Sequence, residues 1–374
     1  MNTQMISSLL PGLQIRDVQI LSEQIVSERR EIRVQLTLLA PNDRSVQPSR
    51  EKVLIGAVTE KWMSMKFKAV KRSAYDRIES TVLHQILPRF GQYAVDELEP
   101  DSVQEWIDEL SESYSYSTLT KSYQCLNAIL DYAVLRNLID HNRIKDRVML
   151  PRNDGRSLRD VVVFSDEECE RITKASYSEN DNVETDPLAP LLPFLLHTGL
   201  RIGEALALRW SDIDMQHQFV RVRRNVKSVR NRSGKPDEPH YITIEQKTVK
   251  TKTSERIVHL NCEALQALSK LRRRSDSDLL FPNQSGSYCS YASIRRMMQR
   301  VFRSAQVPAR GFHAFRHTFA TKLFERGVEV KTVSSILGHS SVKITYGIYI
   351  HSIQEQEARA VALLEDPAHI ARSA

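Results

Sequence analysis

Residues 313–321, His-Ala-Phe-Arg-His-Thr-Phe-Ala-Thr, are the stretch that says most about the second half of the chain. His313 and Arg316 are three residues apart, so they share one face of a helix, and Phe315 and Phe319 share another. The loop at residues 308–311 contains a proline and a glycine, which are typical of the end of the preceding element. The pattern predicts a helix that starts at a cleft, packs its phenylalanines inward and presents a His–Arg pair. On these residues alone the pair could serve chemistry or structure.

A second informative stretch lies upstream, at residues 191–206. Residues 191–196 are an apolar helical run that ends near Gly199, where glycine allows a sharp turn. The helical pattern then resumes, which predicts Arg201 at a helix N-terminus. A guanidinium there can bind a phosphate together with the helix amides, and Glu204, one turn on, could orient it. An isolated arginine in such a place is more often part of a surface ion pair, so both interpretations stay open.

Strand-like segments separate these two stretches. Apolar and polar residues alternate at 219–223 and 241–244, and residues 249–260 have the pattern of a hairpin tip leading into another strand. Three lysines cluster at the tip: Lys247, Lys250 and Lys252. Their charge could serve a reaction, or it could keep the edge of a hairpin soluble.

The C-terminal region contains Ile336-Leu337-Gly338-His339-Ser340-Ser341 and, further on, Tyr346-Gly347-Ile348-Tyr349-Ile350-His351. Gly338 can end one helix, and either of the two serines can cap the next. His339 is therefore predicted in the corner between two helices. Tyr349 follows ten residues later, with Tyr346 three residues before it.

The first half of the chain predicts a small helical domain over residues 51–145. Apolar residues recur at helical spacing, and four are expected to share one face: Leu83, Ile86, Leu87 and Phe90. The basic stretch Lys66–Arg72 could contact an anionic partner or could be a solvated helix face. Residues 32–38 alternate in the manner of a half-buried strand, so residues 1–50 are expected to form a small N-terminal module.

An arginine-rich, turn-prone linker is expected after the helical domain, at about residues 141–163. Ser165 and Glu168 then have the spacing of a capping box, which places a helix start at this point. The second large domain is expected to run from here to the end of the chain.

Composition limits the class of protein. The chain has 374 residues, 41% of them hydrophobic, which is enough for two or three domains with real cores. The formal net charge of +7 favours a polyanionic partner but is weak evidence on its own. Four cysteines are widely spaced and form no CxxC pair, so a zinc site or a disulfide framework is poorly supported. Without an apolar run of membrane-spanning length or a signal-type N-terminus, we expect a cytoplasmic protein that does not contact membranes.

These motifs, in this order, resemble those of the tyrosine recombinases of the phage-integrase type, in the style of phage and conjugative-transposon integrases. Each motif is weak alone, whereas five in order and at suitable spacing are specific. The likeness covers the chain from about residue 51. It implies a multidomain α+β fold: a helical SAM-like core-binding domain at 51–145, a linker at 146–163, and a mostly α catalytic domain with a small antiparallel sheet at 164–374. A role for residues 1–50 in binding arm-type DNA is only an analogy.

The resemblance also implies a reaction and its residues. Tyr349 would attack a DNA phosphorus and form a 3′-phosphotyrosyl link, which conserves the bond energy, so that neither ATP nor any cofactor is needed. Arg201 and Arg316 would hold the non-bridging oxygens in place of a metal ion. His313 is expected to accept the tyrosine proton, and His339 to donate a hydrogen bond to the phosphate. Lys250 is expected to protonate the leaving 5′-oxygen, with Lys252 as a competitor, and Tyr346 is the rival nucleophile.

The expected partners are double-stranded DNA and three further copies of the chain, in a tetramer on paired sites. An accessory DNA-bending or directionality protein is a further expectation. The C-terminal tail, residues 352–364, would dock on a neighbouring copy or pack on its own domain. Two rival functions remain at this stage: a monomeric DNA-relaxing topoisomerase with the same pocket chemistry, and a DNA-binding accessory protein without activity.

Overall fold

The computed structural model describes residues 52–152, 162–178, 188–247, 255–271, 273, 276–349, 353, 354, 357 and 361, and the backbone of residues 15–26 and 29–38. About half of these residues are helical, and the strands form small antiparallel sheets. The α+β fold class expected from the sequence is confirmed. Among the described residues, no helix is both long enough and apolar enough to cross a membrane.

Near the N-terminus, β1 (Ile15–Val26) and β2 (Arg29–Leu38) form an antiparallel pair. The strand predicted at residues 32–38 is therefore confirmed. The two strands pair Ile20 with Val34. Their register shifts at two places in β1, between Ile15 and Asp17 and between Ile20 and Ser22.

The next part of the chain is helical, and its helices are α1 (Ile55–Ala69), α2 (Arg72–Thr81), α3 (Leu87–Phe90), α4 (Pro100–Ser111) and α5 (Tyr116–Leu135). They enclose a common hydrophobic core. Near its centre the rings of Phe90 and Trp106 meet edge to face, with 5.2 Å between their centroids. Such contacts bury large apolar surfaces and stabilise the helical packing.

A π-helical turn, Val82–Ile86, joins α2 to α3 and changes which side chains face the core. The prediction that Leu83 belongs to the buried face is wrong, because its side chain is 45% exposed, whereas Val82 is 1% exposed. A π turn contains more residues per turn than an α turn, so it rotates the apolar face. Pro88 gives a physical reason, since it has no N–H to donate to the carbonyl four residues earlier and disturbs a regular α-helix there.

The capping box predicted at Ser165 and Glu168 is present. The Glu168 backbone N–H donates to Ser165 Oγ at 3.2 Å, and the Ser165 backbone N–H donates to Glu168 Oε2 at 2.9 Å. The helices that follow are α6 (Asp166–Ser178), α7 (Leu191–Thr198), α8 (Ile202–Ala205), α9 (Cys262–Ser269), α10 (Tyr291–Ser304), α11 (His313–Glu325), α12 (Val330–Leu337) and α13 (Val342–Ile348).

The strands of this domain lie between α8 and α9. They are β3 (Ile213–Asp214), β4 (Phe219–Val222), β5 (Arg224–Arg230), β6 (Tyr241–Lys247) and β7 (Arg256–His259). One sheet has the order β3-β4-β7, and β5 and β6 form a separate antiparallel hairpin. The strand predicted to follow the lysine cluster is present as β7. Residues 248–254, which include Lys250 and Lys252, lie outside the described residues.

A cluster of phenylalanine rings anchors α11 in the core. Phe315 is fully buried, and its ring centroid lies 5.0 Å from that of Phe164 and 6.1 Å from that of Phe302. The predicted inward face of α11 is thus confirmed for Phe315. With Phe315 fixed in the core, the other side of α11 carries His317, which contacts Tyr349, and Arg316, which contacts the backbone of Gly199 and Leu337.

The β5–β6 hairpin contacts the helical domain through a charged cluster. The Arg232 guanidinium forms ion pairs with Asp76 at 2.6 Å and with Glu79 at 2.9 Å, both on α2. It also lies over the ring of Tyr75, 5.0 Å from the centroid. Two carboxylates and an aromatic ring together fix the position of this guanidinium. It connects the β5–β6 hairpin to α2.

Candidate active site

The site is organised by the C-terminal end of α12. The last carbonyls of an α-helix have no partner within the helix and carry partial negative charge. Here three consecutive ones accept hydrogen bonds from arginines: Arg256 Nε donates to the Ile336 oxygen at 2.9 Å, Arg316 Nη2 to the Leu337 oxygen at 2.7 Å, and Arg201 Nη2 to the Gly338 oxygen at 3.4 Å. One helix end therefore collects guanidiniums from three separate segments of the chain.

Gly338 makes this close approach possible. Its φ of +65° is in the left-handed region, which glycine adopts without strain and which ends α12. A Cβ at this position would lie 2.9 Å from the Arg256 side chain. The predicted helix end at Gly338 is confirmed, and its second role is to leave room for an arginine.

Arg201 is the N-cap residue of α8, as predicted, and Glu204 lies one turn on. Glu204 is 7% exposed, accepts the Arg201 backbone N–H at 3.0 Å, and forms ion pairs with Arg201 Nη1 at 2.8 Å and Arg256 Nη2 at 2.7 Å. Burial alone would raise the pKa of Glu204, but the Arg256 hydrogen bonds and the charges of both arginines hold it at about 2. This carboxylate stays ionised and orients two guanidiniums at once, while the Arg201 side chain keeps 40% of its surface exposed.

Gly199 positions the turn before Arg201. Its φ is +61°, and a Cβ there would lie 2.4 Å from the Phe319 ring. Its carbonyl accepts a hydrogen bond from Arg316 Nη1 at 3.0 Å. A glycine turn from one segment thus holds the arginine of another.

Arg316 is buried, with 4% of its surface exposed, and two of its N–H groups donate to the carbonyls of Gly199 and Leu337. Burial, together with the nearby charges of Arg201 and Arg256, lowers the pKa of Arg316 to about 9. The guanidinium is still protonated at neutral pH. Its orientation is set by backbone groups before any ligand arrives, which is the arrangement expected of a preorganised anion site.

Two histidines border this cationic pocket. Burial and then the charges of Arg316 and Arg201 lower the pKa of His313, the first residue of α11. Burial and the charges of Arg316, Arg201 and Arg256 lower the pKa of His339 to about 4. The His339 Nδ1 atom lies 2.7 Å from the hydroxyl of Thr345, which is fully buried and fixes the orientation of the ring. Both imidazoles are neutral at pH 7.

Tyr349 follows α13 and is 3% exposed. Its hydroxyl lies 2.8 Å from His317 Nδ1, and the Phe324 ring packs on the phenol with 5.3 Å between centroids. Burial raises the pKa of Tyr349 well above 10, although the charge of Arg316 opposes this effect. Tyr346, by contrast, is 42% exposed.

The structure therefore brings five of the six predicted site residues to one place: Arg201, His313, Arg316, His339 and Tyr349. The sixth, Lys250, lies outside the described residues. Two residues of this site had no predicted role: His317, the hydrogen-bond partner of Tyr349, and Arg256, the second guanidinium on Glu204. His317 follows His313 by four residues and so shares its helix face, which is the signal that could have found it.

The similarity of this chain to known proteins identifies its family. The model of the phage integrase family matches residues 163–356, and that of the phage integrase central domain matches residues 55–147. The chain belongs to the phage integrase family. It is a tyrosine recombinase, and the resemblance drawn from its motifs is confirmed.

Two curated relatives illustrate the range of this family. A "Tyrosine recombinase XerC-like" protein of Caldanaerobacter subterraneus subsp. tengcongensis is 34% identical over 274 residues, 68% of this chain and 68% of the relative. The "Transposase from transposon Tn916" of Enterococcus faecalis is 25% identical over 281 residues, 71% of this chain and 66% of the relative.

Solved structures share the fold of this recombinase. The Tn1549 transposon integrase, in complex with a circular intermediate DNA, is 20% identical with a TM-score of 0.62, over 82% of this chain and 99% of that one. A lambda integrase dimer bound to a COC′ core site is 15% identical with a TM-score of 0.57, over 78% of this chain and 97% of that one.

Proposed function

We propose that this recombinase cuts and rejoins DNA strands through a 3′-phosphotyrosyl link to Tyr349, for the integration and excision of a mobile element. The observation that carries the proposal is the set of three guanidiniums held on consecutive carbonyls of α12, beside a buried tyrosine. A phosphodiester undergoing attack gains charge on its non-bridging oxygens, and fixed cations in a partly dry site stabilise that charge. Arg201 and Arg316 supply these cations, while Glu204 orients the guanidiniums of Arg201 and Arg256.

The remaining roles follow the chemistry of each group. His339 is neutral and held by Thr345, so it suits a hydrogen-bond donor to a phosphate oxygen. Lys250 remains the predicted acid for the leaving 5′-oxygen, with Lys252 as its rival. The resemblance to the family predicts His313 as the proton acceptor. The guanidiniums stabilise charge as a metal ion would, so we expect a reaction that needs neither metal nor ATP.

DNA binding would involve both large domains. Lys68, Lys71 and Arg72, in the predicted basic stretch, have no carboxylate within ion-pair distance among the described residues, which leaves their charge available for phosphates. Lys227 on β5 belongs to the same positive surface, because burial and the charges of Arg77 and Lys71 lower its pKa. Such contacts release counterions, so affinity should fall steeply with salt.

The assembly is proposed by analogy with the family. A homotetramer is expected to bind two DNA sites, with the C-terminal tail of each copy docking on a neighbouring copy. An accessory DNA-bending protein would set direction, and residues 1–50 would contact arm-type DNA. The reaction takes place in the cytoplasm, where the DNA substrate is.

The experiment that tests the activity uses a labelled duplex with the end of the element and a nick near the cleavage point. The nick lets the short released strand diffuse away, so a covalent adduct accumulates and is seen on a denaturing gel. We expect the adduct with the wild-type protein in EDTA and without ATP. Tyr349→Phe should abolish it, and Tyr346→Phe should retain it.

Two results would contradict this scheme in different ways. An adduct that survives Tyr349→Phe and disappears with Tyr346→Phe would make Tyr346 the nucleophile. The lack of any adduct on site-bearing DNA, with intact binding, would favour an accessory DNA-binding protein. Relaxation of supercoiled DNA lacking the site would favour a topoisomerase.

A further inference from the structure

The phenol of Tyr349 is held on a histidine that the sequence motifs left without a role. The rings of His317 and Tyr349 are 5.6 Å apart between centroids and inclined by 63°, with His317 Nδ1 2.8 Å from the hydroxyl. This is the distance expected between a proton donor and its acceptor. The Phe324 ring and the backbone hydrogen bond from Tyr349 to Thr345 hold the phenol in place.

The protonation states suit a transfer from the phenol to the imidazole. Burial and the charges of His313 and Arg316 lower the pKa of His317, so its ring is neutral at pH 7 and can accept a proton. The phenol of Tyr349, whose pKa is raised by burial, does not lose its proton unaided. An acceptor in contact is therefore a requirement of the reaction.

His313, the acceptor expected from the sequence, has a less direct position. Its ring centroid is 6.4 Å from that of His317, and its side chain is exposed at the start of α11. Among the described residues, the hydrogen bond of the Tyr349 hydroxyl is to His317. The groups that face His317 are Tyr349, His313 and Arg316, with His339 close enough to interact electrostatically.

We propose that His317, rather than His313, is the catalytic residue that accepts the proton of Tyr349 during DNA cleavage. This inference rests on the proposed function. The Tyr349 O–H proton moves to His317 Nδ1 as the phenolic oxygen forms a bond to phosphorus. The bond from phosphorus to the 5′-oxygen breaks, and that oxygen takes a proton from the separate acid. In rejoining, the 5′-hydroxyl attacks phosphorus and returns its proton to the separate acid. The bond from phosphorus to the phenolic oxygen breaks, and His317 gives its proton back to Tyr349.

The test compares His317→Asn with His313→Asn on the nicked duplex. An asparagine amide oxygen can accept the phenol hydrogen bond but cannot take its proton. We expect His317→Asn to slow adduct formation by about a hundredfold or more at pH 7. Its rate should rise about tenfold per pH unit from 7 to 9, because the reactive phenolate must then form in solution equilibrium. The wild type and His313→Asn should show no such slope.

A second substrate separates loss of the base from loss of the acid. Sulfur in place of the bridging 5′-oxygen leaves without a proton, since a thiol is far more acidic than an alcohol. This substrate should restore the rate of adduct formation of the acid-deficient Lys250→Ala variant. It should not restore the rate of His317→Asn. His217→Asn is the matched control, because that side chain is 66% exposed and pairs with Asp214 away from the pocket.

The outcomes distinguish the inference from the function it rests on. If the wild type forms no adduct, the proposed function fails. If the wild type reacts but His317→Asn keeps its rate within threefold, or if the pH slope appears in His313→Asn instead, the inference is overturned. DNA binding and thermal melting of His317→Asn establish that it folds, and His317→Gln replaces it if it does not.

Discussion

Replacement of Glu204 by glutamine should destabilise the catalytic domain more than any exposed ion pair does. The carboxylate is 7% exposed and touches the guanidiniums of Arg201 and Arg256. The Glu204→Gln substitution keeps the size of the side chain and removes its charge. The guanidiniums of Arg201 and Arg256 then lie close together without the anion that balanced their charges. The Arg256 side chain is only 11% exposed, so water does little to screen it.

The magnitude follows from the pKa of Glu204. A carboxyl with a pKa near 4.5 in the unfolded chain and about 2 in the folded one contributes about 3 kcal/mol at neutral pH. Breaking a buried ion pair by removing one partner costs a similar ~3–5 kcal/mol. For a domain of this size the melting temperature should fall by roughly 6–12 °C.

The same shift predicts a pH dependence with a definite sign. The folded pKa is depressed, so the contribution is complete above the unfolded pKa and is lost as the pH falls toward the folded value. Roughly half of the contribution at pH 7 should remain at pH 3. The difference between wild type and variant should therefore shrink as the solution is acidified.

Differential scanning calorimetry of the full chain at several pH values measures this difference. Glu97→Gln is the control, since its exposed pair with Lys52 should leave the transition unchanged. A difference for Glu204→Gln below about 1 kcal/mol at pH 7, or one that grows toward pH 3, would refute the reasoning from burial and pairing.

Two further predictions concern the acid and the domain contact. Lys250→Ala should lower cleavage of an ordinary phosphodiester by about a hundredfold or more and be restored by the 5′-sulfur substrate, and Lys252→Ala should do neither; the reverse result would make Lys252 the acid. Arg232→Ala should loosen the contact of the β5–β6 hairpin with the helical domain and increase the radius of gyration of the free protein in X-ray solution scattering. Arg221→Ala, whose guanidinium lies over Phe219 within one sheet, should leave that radius unchanged, and an equal effect of both variants would argue against the charged cluster.

Local structure was largely predictable because it depends on near neighbours. The capping box at Ser165, the left-handed helix ends at Gly199 and Gly338, and the N-cap position of Arg201 each follow from residues within one turn. Leu83 shows the limit of this approach. A regular period of 3.6 residues places it inward, but the π turn beside Pro88 shifts the period and exposes it.

Residue type and spacing were enough to predict the family and the α+β fold class, because motifs and hydrophobic periods are local features. They also predicted the cationic residues and the tyrosine as site candidates. Which of these side chains touch one another depended on the packing of the whole domain. Arg201, Arg256 and Arg316 come from distant segments, and nothing local predicts that they bind consecutive carbonyls of α12. Likewise, His313 and His317 share a helix face, and the packing of Tyr349 against Phe324 selects His317 as the one in contact. Hydrogen bonds between residues that are far apart in the sequence depend on how whole helices pack. The spacing of residues along the chain does not give the distance between their side chains in the folded domain.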